Sequence, residues 1–279
     1  MNTKKIRVKD ILAYAAVYIS TGLTVLLLAG IIIYILFRGI GAVTPTFLTS
    51  VTSVLRGTVG IAGNIINTLY IVLISMVIAT PIGIGSAIYL NEYAKPGRLV
   101  TVIEFATETL SGIPSIIFGL FGMLFLGETL GFGYSIITGS LTLILMVLPM
   151  ITRNTQEALK TVPDSYRSGA IGLGAGKWHM IRTVLLPSAI PGIMTGIVLS
   201  VGRIVSESAA LLFTAGSSKK IAENIFHSGG SMTVQLYLSA TSEGDFETAF
   251  GIAVVLLVLV LVINQVTKIF ARKLDNTRK

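Results

Sequence analysis

The chain has 279 residues, of which 53% are hydrophobic and 12% charged, and its mean hydropathy is +0.84. Because soluble domains carry about 25% charged residues, this composition excludes an ordinary soluble domain and predicts a protein that faces lipid. Cysteine is absent, which excludes disulfides, thiol chemistry and cysteine-based metal sites.

Six apolar segments are long enough to cross about 30 Å of hydrocarbon, which takes about 20 helical residues. The third segment is interrupted by Gly112-Ile113-Pro114, and the fourth is short. This pattern predicts an all-α integral membrane protein with six transmembrane helices. The predicted spans are Ile11–Phe37, Ile65–Leu90, Leu99–Leu126, Ser135–Ile151, Ile190–Phe213 and Ala249–Phe270.

Lysine and arginine are distributed unequally between the two sides of these spans. Four precede the first span, two lie in the second connector, five in the fourth, and five in or near the tail. Four lie on the other side, namely Arg38, Arg56, Lys219 and Lys220. The positive-inside rule therefore predicts a multi-pass protein of the plasma (cytoplasmic or inner) membrane with both termini in the cytoplasm. This distribution explains the net charge of +8, so no nucleic-acid partner is predicted.

Arg203 and Glu207 are the most distinctive charged residues inside a predicted span. Arg203 lies about 13 residues beyond the cytoplasmic start of the fifth span, or roughly 20 Å deep. An arginine there costs about 3 kcal/mol on insertion scales, so it is expected to face protein or water. The i,i+4 spacing places Glu207 on the same helix face. The pair predicts either an arginine that meets an anion in a transport pathway or an ion pair that fastens two helices. We favour the pathway, because small residues fasten helices at lower cost.

The third span contains a break at Ser111–Ser115. Proline leaves a backbone carbonyl without its donor, which a membrane helix tolerates only where protein or water supplies another. Ser111 and Ser115 are therefore predicted to line a polar cavity. The alternative is that Gly119 and Gly122 allow close helix packing and the break has no further role.

The connector Pro163–Pro187 is elaborate for a link between two spans. Pro163 and Asp164 suit the start of a helix, and a glycine-rich stretch separates this helix from a second helical segment that ends before Pro187. The pattern predicts two short helices joined by a hinge and presented to a partner. The alternative is an amphipathic connector on the membrane surface, with Trp178 at the interface.

The sequence contains no recognisable catalytic constellation. Gly172–Lys177 resembles a phosphate-binding loop only superficially, because the motif needs glycine where Ile171 stands and Ser or Thr where Trp178 stands. The two histidines, His179 and His227, fall on opposite sides of the membrane, so no histidine metal cluster is predicted. The chain is therefore predicted to be a transport subunit and not an enzyme, with no cofactor of its own.

Residues 163–187 resemble the signature loop of binding-protein-dependent ABC importer permeases. That loop reads Glu-Ala-Ala, three residues, Gly, then about nine residues before Ile-x-Leu-Pro. The glutamate position is serine in this chain, and the match ends at Val184–Pro187. The resemblance implies a cytoplasmic coupling helix that docks on an ATP-binding subunit. The docking residues implied are Ser168, Gly169, Ala170, Gly172 and Gly174.

Three other segments are similar to phosphate-uptake permease subunits of the PstA type: Ser111–Gly122, Arg153–Pro163 and Gly202–Gly216. The resemblance covers about Asn64 to Phe270. In that family, an arginine of the fifth span and another at the start of an Arg-x-Thr stretch are linked with phosphate passage, and an acidic residue follows the first. The substrate pathway implied for this chain comprises Arg203, Glu207, Arg153, Ser111 and Ser115.

The resemblance also implies a type I ABC importer permease fold and a set of partners. The expected partners are a homologous PstC-type permease subunit, two ATP-binding subunits, an external phosphate-binding protein and the lipid bilayer. The expected activity is import of inorganic phosphate, with import of another oxyanion (molybdate, tungstate or sulfate) or a self-sufficient anion channel or carrier as alternatives. The expected division is 1–10 cytoplasmic segment, 11–63 first transmembrane helix and external loop, 64–270 permease domain with coupling loop 152–189, and 271–279 cytoplasmic tail.

Overall fold

The computed structural model describes residues 8–53 and 57–276, and the side chains of residues 10–53 and 57–269. Arg56 and the basic residues of the first seven and last three positions, which contribute to the predicted topology, lie outside the described residues. Apart from turns and loops, these described residues form helices and one short antiparallel pair of strands, β1 (Val51–Ser53) and β2 (Thr58–Ile61). The helices are α1 (Val8–Gly39), α2 (Pro45–Thr49), α3 (Ala62–Ile88), α4 (Arg98–Gly112), α5 (Ser115–Phe121), α6 (Ile136–Lys160), α7 (Asp164–Gly172), α8 (Lys177–Met180), α9 (Leu186–Val205), α10 (Ala209–Thr214), α11 (Met232–Thr241) and α12 (Phe246–Asn276).

Four helices continue directly into turns of another helical type. A 3-10 turn, Ile40–Ala42, follows α1. The turns after α3, α5 and α8 are π-helical and comprise Tyr89–Tyr93, Gly122–Thr129 and Ile181–Leu185. Such π turns are rare and frequently lie at functional sites.

The predicted number of spans agrees with the structure when one broken span is counted. Within the described residues, five helical stretches are long and apolar enough to cross a membrane. The sixth is α4 together with Ser115–Thr129, two helices bent by 105°. The predicted third span is thus not a straight helix, and the break falls where the sequence placed it, because Pro114 has no N–H to continue the helix.

Two predicted spans have different ends in the structure. The fourth, predicted to stop at Ile151, continues to Lys160 as α6, beginning after Ser135, whose hydroxyl caps the helix by accepting from the N–H of Thr138. The fifth was predicted as Ile190–Phe213, but α9 ends at Val205 and α10 follows after a break. Hydropathy therefore does not give the end of a helix that continues into polar residues, as α6 does, or that breaks between apolar residues, as the fifth span does between α9 and α10.

The second helical segment of the connector Pro163–Pro187 was predicted to end before Pro187, and this was wrong. Helix continues from Lys177 to Val205 through the π-helical turn Ile181–Leu185. Pro187 lies in the first turn of α9. Because Pro187 lacks an N–H, the carbonyls one turn earlier lose their usual donor, and the π turn lies at this position.

The core is organised around α6, which packs against α3 on one side and α9 on the other. Glycines allow the close approach. A Cβ added to Gly83 would lie 2.6 Å from a methyl of Ile151, and one added to Gly192 would lie 2.5 Å from Cβ of Ala158. Gly83 thus lets α3 approach α6 closely, and Gly192 does the same for α9. This arrangement places α6 at the centre of the bundle.

The first helix, α1, is attached mainly to α12. The rings of Tyr34 and Phe250 meet edge to face at 5.6 Å, and the Arg38 guanidinium lies 5.6 Å from the Phe250 ring. Most of the remaining apolar surface of α1 is exposed in the single chain, as expected for a helix that faces lipid or another subunit.

Two asparagines of α3 secure the connector that joins α10 to α12. The Asn64 amide donates to the carbonyl of Gly230, and the Asn67 amide donates to the carbonyl of Lys220. The Asn67 side-chain oxygen also accepts from the N–H of Ala222. The connector therefore folds back onto the same end of the bundle where α3 and α6 begin.

Candidate functional site

Arg203 lies in the last turn of α9, at the break before α10. The helix ends there because nearby side chains bond to the backbone. The Ser206 hydroxyl donates to the carbonyl of Arg203 over 3.1 Å, and Oε1 of Glu207 accepts from the N–H of Ala210 over 3.1 Å. Glu207, which precedes the N-cap residue Ser208, therefore caps one free N–H in the first turn of α10, where a negative charge is favourable. This capping role could not be inferred from the i,i+4 spacing.

In the structure Arg203 and Glu207 lie close to each other. Nη2 of Arg203 lies 3.9 Å from Oε2 of Glu207, a distance of charge pairing without a hydrogen bond. The Glu207 side chain is 6% exposed and that of Arg203 is 47% exposed. Among the described residues, no group accepts a hydrogen bond from the Arg203 guanidinium. Its charge is thus partly balanced while its donors remain available.

The packing of α9 on α6 gives the depth of Arg203. Gly192 lies against Ala158, and Gly196 lies against Asn154, so the two helices run in opposite directions. Continuing this register places Arg203 roughly level with Val147, since each residue advances about 1.5 Å along either helix. Val147 is close to the middle of α6 (Ile136–Lys160). Arg203 therefore lies near half of the bundle's thickness.

Arg153 lies about two turns nearer to the C-terminal end of α6 and pairs with other carboxylates. One guanidinium nitrogen lies 3.7 Å from Oε1 of Glu108 on α4, and another lies 3.7 Å from Oε1 of Glu157. These side chains are more than half exposed, so each pair contributes about 1 kcal/mol or less. They belong to a charged pocket of about 280 Å³ that also includes Glu104 and Lys160.

Ser111 and Ser115 flank the break between α4 and α5, but the cavity beside that break is apolar. Ser111 is exposed, and its hydroxyl donates to the carbonyl of Thr107 over 2.9 Å. Ser115 is the half-buried first residue of α5. Neither serine lines the adjacent cavity of about 490 Å³. Its walls come from α3 to α6 and consist mostly of Leu, Ile and Phe side chains.

One hydroxyl in that apolar cavity was not anticipated from the sequence. Thr152 lines it and is 4% exposed, and its Oγ1 has no hydrogen-bond partner among the described residues. Two residues, Leu90 and Thr107, line both this cavity and the charged pocket. The two spaces are therefore adjacent, with the charged pocket toward the C-terminal end of α6.

The predicted docking loop forms the two short helices α7 and α8 around a sharp turn. Gly174 has φ of +81°, a conformation that side chains other than glycine rarely adopt. Ser168, Gly169 and Gly172 are exposed, and Ala170 packs partly against the core below. Four of the five residues expected to dock on a partner, all but Ala170, are thus on the open face of the loop.

An apolar surface on this loop was missed by the sequence reasoning. Leu173 is 91% exposed, and Tyr166, Ile171 and Trp178 are each at least half exposed. Exposed large apolar side chains around a glycine turn are typical of a protein-binding surface. The signal was present in the sequence, since these residues interrupt an otherwise polar and glycine-rich segment.

A family model described as a binding-protein-dependent transport system inner membrane component matches residues 79–277. The chain belongs to this family. It is 34% identical over 271 residues to the phosphate transport system permease protein PstA 1 of Mycobacterium tuberculosis (strain H37Rv), covering 94% of this chain and 87% of that protein. It is also 34% identical over 275 residues to the probable ABC transporter permease protein YqgI of Bacillus subtilis, covering 92% and 93%.

Solved structures of ABC transporters share the fold. A bacterial alginate ABC transporter in complex with alginate pentasaccharide-bound periplasmic protein matches with a TM-score of 0.71 and 15% identity, over 96% of both chains. The methionine ABC transporter MetNI, in an inward-facing conformation, matches with a TM-score of 0.62 and 20% identity, over 75% of this chain and 93% of that one. The chain therefore has the fold of type I ABC importer permeases.

No candidate metal site accompanies this fold in the described part of the chain. Within residues 8–53 and 57–276, no three His, Cys, Asp or Glu side chains are grouped so that they could hold a metal ion.

Proposed function

We propose that this chain is the transmembrane permease subunit of an ATP-driven importer that carries inorganic phosphate into the cytoplasm by alternating access. The observation that carries the proposal is Arg203, half exposed near half of the bundle's thickness. An arginine that faces lipid at that depth costs about 3 kcal/mol or more. This face therefore lies against a second permease subunit, with a water-filled path between the two.

The chemistry of Arg203 suits phosphate. Near neutral pH, phosphate carries between one and two negative charges, and the planar guanidinium matches its oxygens with parallel donors. Glu207, at 3.9 Å, offsets part of the arginine charge. An anion bound there is held weakly enough to leave, so high affinity belongs to the external binding protein.

Phosphate is favoured over other oxyanions by the relatives. Proteins named phosphate transport system permease protein PstA, from Mycobacterium leprae and from Xylella fastidiosa, are 37% and 34% identical over 210 and 229 residues. Molybdate, tungstate or sulfate remain as alternative cargo for the same architecture. A self-sufficient channel or carrier is disfavoured because the exposed apolar loop has no use in such a protein.

The partners follow from the two open surfaces of the chain. The face with Arg203 fits a homologous PstC-type permease subunit. The loop surface with Leu173 and Trp178 fits one of two ATP-binding subunits, on which hydrolysis takes place. Phosphate arrives on an external phosphate-binding protein. The distribution of lysine and arginine supports a plasma-membrane location with both termini in the cytoplasm.

The test is uptake of labelled phosphate by proteoliposomes that contain this chain, its neighbouring permease and ATP-binding subunits, and the cognate binding protein. We expect uptake that requires ATP and resists competition by molybdate and sulfate. Arg203→Gln should abolish uptake while complex assembly and nucleotide binding persist. The matched control is Arg98→Gln, an exposed arginine at the start of α4, which should transport normally.

Three results would contradict parts of the proposal. Competition by molybdate or sulfate would keep the architecture and change the cargo. Transport by this chain alone would exclude a permease subunit that depends on ATP-binding partners. Equal uptake by Arg203→Gln and Arg98→Gln complexes would exclude Arg203 from the pathway.

A further inference from the structure

Two contacts connect the cytoplasmic loop to a single π-helical turn at the end of α3. Nη2 of Arg167, on α7, donates to Oε1 of Glu92 over 3.1 Å. Nζ of Lys177, the first residue of α8, lies 4.8 Å from the centre of the Tyr93 ring. Glu92 and Tyr93 both belong to the turn Tyr89–Tyr93. Both halves of the loop therefore hold the same turn.

The Arg167–Glu92 pair is the stronger of these contacts. The two side chains are 20% and 7% exposed, so solvent screens them much less than a surface pair. The Asn91 amide donates to the same Glu92 oxygen over 2.7 Å and fixes its position. Arg167 also donates to the carbonyls of Leu159 and Val162, at the end of α6, over 3.0 and 2.9 Å. One side chain thus joins α7 to the ends of both α3 and α6.

We propose that Arg167 and Glu92 are positioning residues for transport, which fasten the cytoplasmic loop to α3 so that movement of the loop displaces the turn Tyr89–Tyr93. This inference rests on the proposed function. Coupling between ATP closure and the pathway requires a physical element that both ends can shift between two states. The turn qualifies, because a π turn has a hydrogen-bond register that differs from the α-helix before it.

The displaced turn reaches the pathway through Leu90. This residue belongs to the turn and lines both the apolar cavity and the charged pocket around Arg153. Thr107, on α4, lines both spaces from another wall. A shift of the turn therefore changes the boundary between the two spaces. In this way the loop acts on the cytoplasmic part of the pathway without touching the anion.

The test measures phosphate moved per ATP hydrolysed in the complete transporter in proteoliposomes. Glu92→Ala cuts the link between α7 and α3. The matched control is Asp164→Asn, because Asp164 pairs with the same arginine at 3.0 Å but lies on α7 itself and is 97% exposed. We expect Glu92→Ala to lower the ratio by about fivefold or more, the lower end of typical coupling between two sites. Asp164→Asn should keep the wild-type ratio, and Glu92→Gln, which retains an acceptor oxygen, should fall between them.

A contact that only stabilises the loop would give a different result. Glu92→Ala would then reduce uptake and ATP hydrolysis in equal proportion, or reduce the yield of complex, and the ratio would not change. That outcome overturns the proposal. Absence of phosphate uptake by the wild-type complex would contradict the proposed function instead.

A second measurement is independent of the transported species. Because the chain has no cysteine, spin labels can be attached at Lys95→Cys, after the turn, and Ser165→Cys, on α7. In a complex whose other subunits lack cysteine, the wild-type label distance should stay the same with and without ATP. In Glu92→Ala it should change with ATP. A wild-type distance that changes as much as in the variant would show that loop and turn move separately.

Discussion

The close contact between α5 and α10, the second halves of the third and fifth spans, can be tested at Gly119. This residue of α5 lies against the backbone of α10, and a Cβ added to it would be 2.8 Å from Cα of Ala210. Ordinary carbon contacts are about 3.5 to 4.0 Å, so Gly119→Ala requires a separation of roughly 1 Å. Backbone atoms of a packed helix cannot rotate away as a side chain can. The helices α5 and α10 must therefore move apart.

The cost of this displacement can be estimated from overpacked cores. Such substitutions typically destabilise by about 1–3 kcal/mol. For a chain of this size, 1 kcal/mol corresponds to roughly 2–4 °C in melting temperature. We therefore expect Gly119→Ala to lower the melting temperature by between about 2 and 12 °C. Because the N–H of Ala210 donates to Glu207, the displacement also disturbs the Arg203–Glu207 pair and should reduce phosphate uptake.

The assay is thermal unfolding of the purified complex, followed by uptake in proteoliposomes. The matched control is Gly85→Ala in α3, since a Cβ at Gly85 has no heavy atom within 4 Å. We expect the control to melt and transport like the wild type. If Gly119→Ala and Gly85→Ala have the same melting temperature, α5 and α10 do not pack as described, and the argument from their crossing fails.

Two further substitutions test the loop and the start of α12. Gly174→Val should cost about 1–2 kcal/mol because φ is +81°, and should release the ATP-binding subunit in co-purification, whereas Gly176→Ala should not. The Thr248 hydroxyl and N–H, which donate to Asp245, hold the pKa of Asp245 below its usual value, with Lys219 assisting. Asp245→Asn should therefore lower the melting temperature at neutral pH, and the difference from wild type should vanish as pH falls below 3.8 through that lowered pKa.

Much of the fold was predictable because hydropathy and proline act locally. Long apolar stretches predicted the spans, and Pro114 predicted the break in the third. Gly174 predicted the hinge of the loop. The end of α9 at Val205 was not predictable, because only Ser206–Ser208 interrupt the apolar stretch, and apolar residues that suit a helix follow them. This helix ends just before Glu207, whose side chain accepts a hydrogen bond from the N–H of Ala210. Composition does not decide whether a side chain bonds to the backbone in this way or the helix continues.

The site was predictable only where its partners are close in sequence. The spacing of Arg203 and Glu207 placed them on one face, and the structure pairs them. Arg153 meets Glu108 from another helix, and Arg167 meets Glu92 from a third. Such pairs depend on how α3, α4 and α6 pack, and no local pattern indicates which carboxylate an arginine will meet. Glu92 was for this reason absent from the predicted site.

Arg153, Arg167 and Arg203 each lie near a carboxylate, but they differ in how many of their N–H donors are already in hydrogen bonds. This difference separates their roles. Arg167 donates four hydrogen bonds of 2.9–3.1 Å, so binding an anion would require it to release the loop. Arg203 and Arg153 have carboxylates only at 3.7–3.9 Å, close enough to balance charge but too far to take up donors. An anion can therefore approach either of them without first breaking a hydrogen bond. A transport pathway needs such arginines, since each must bind and release its cargo in every cycle.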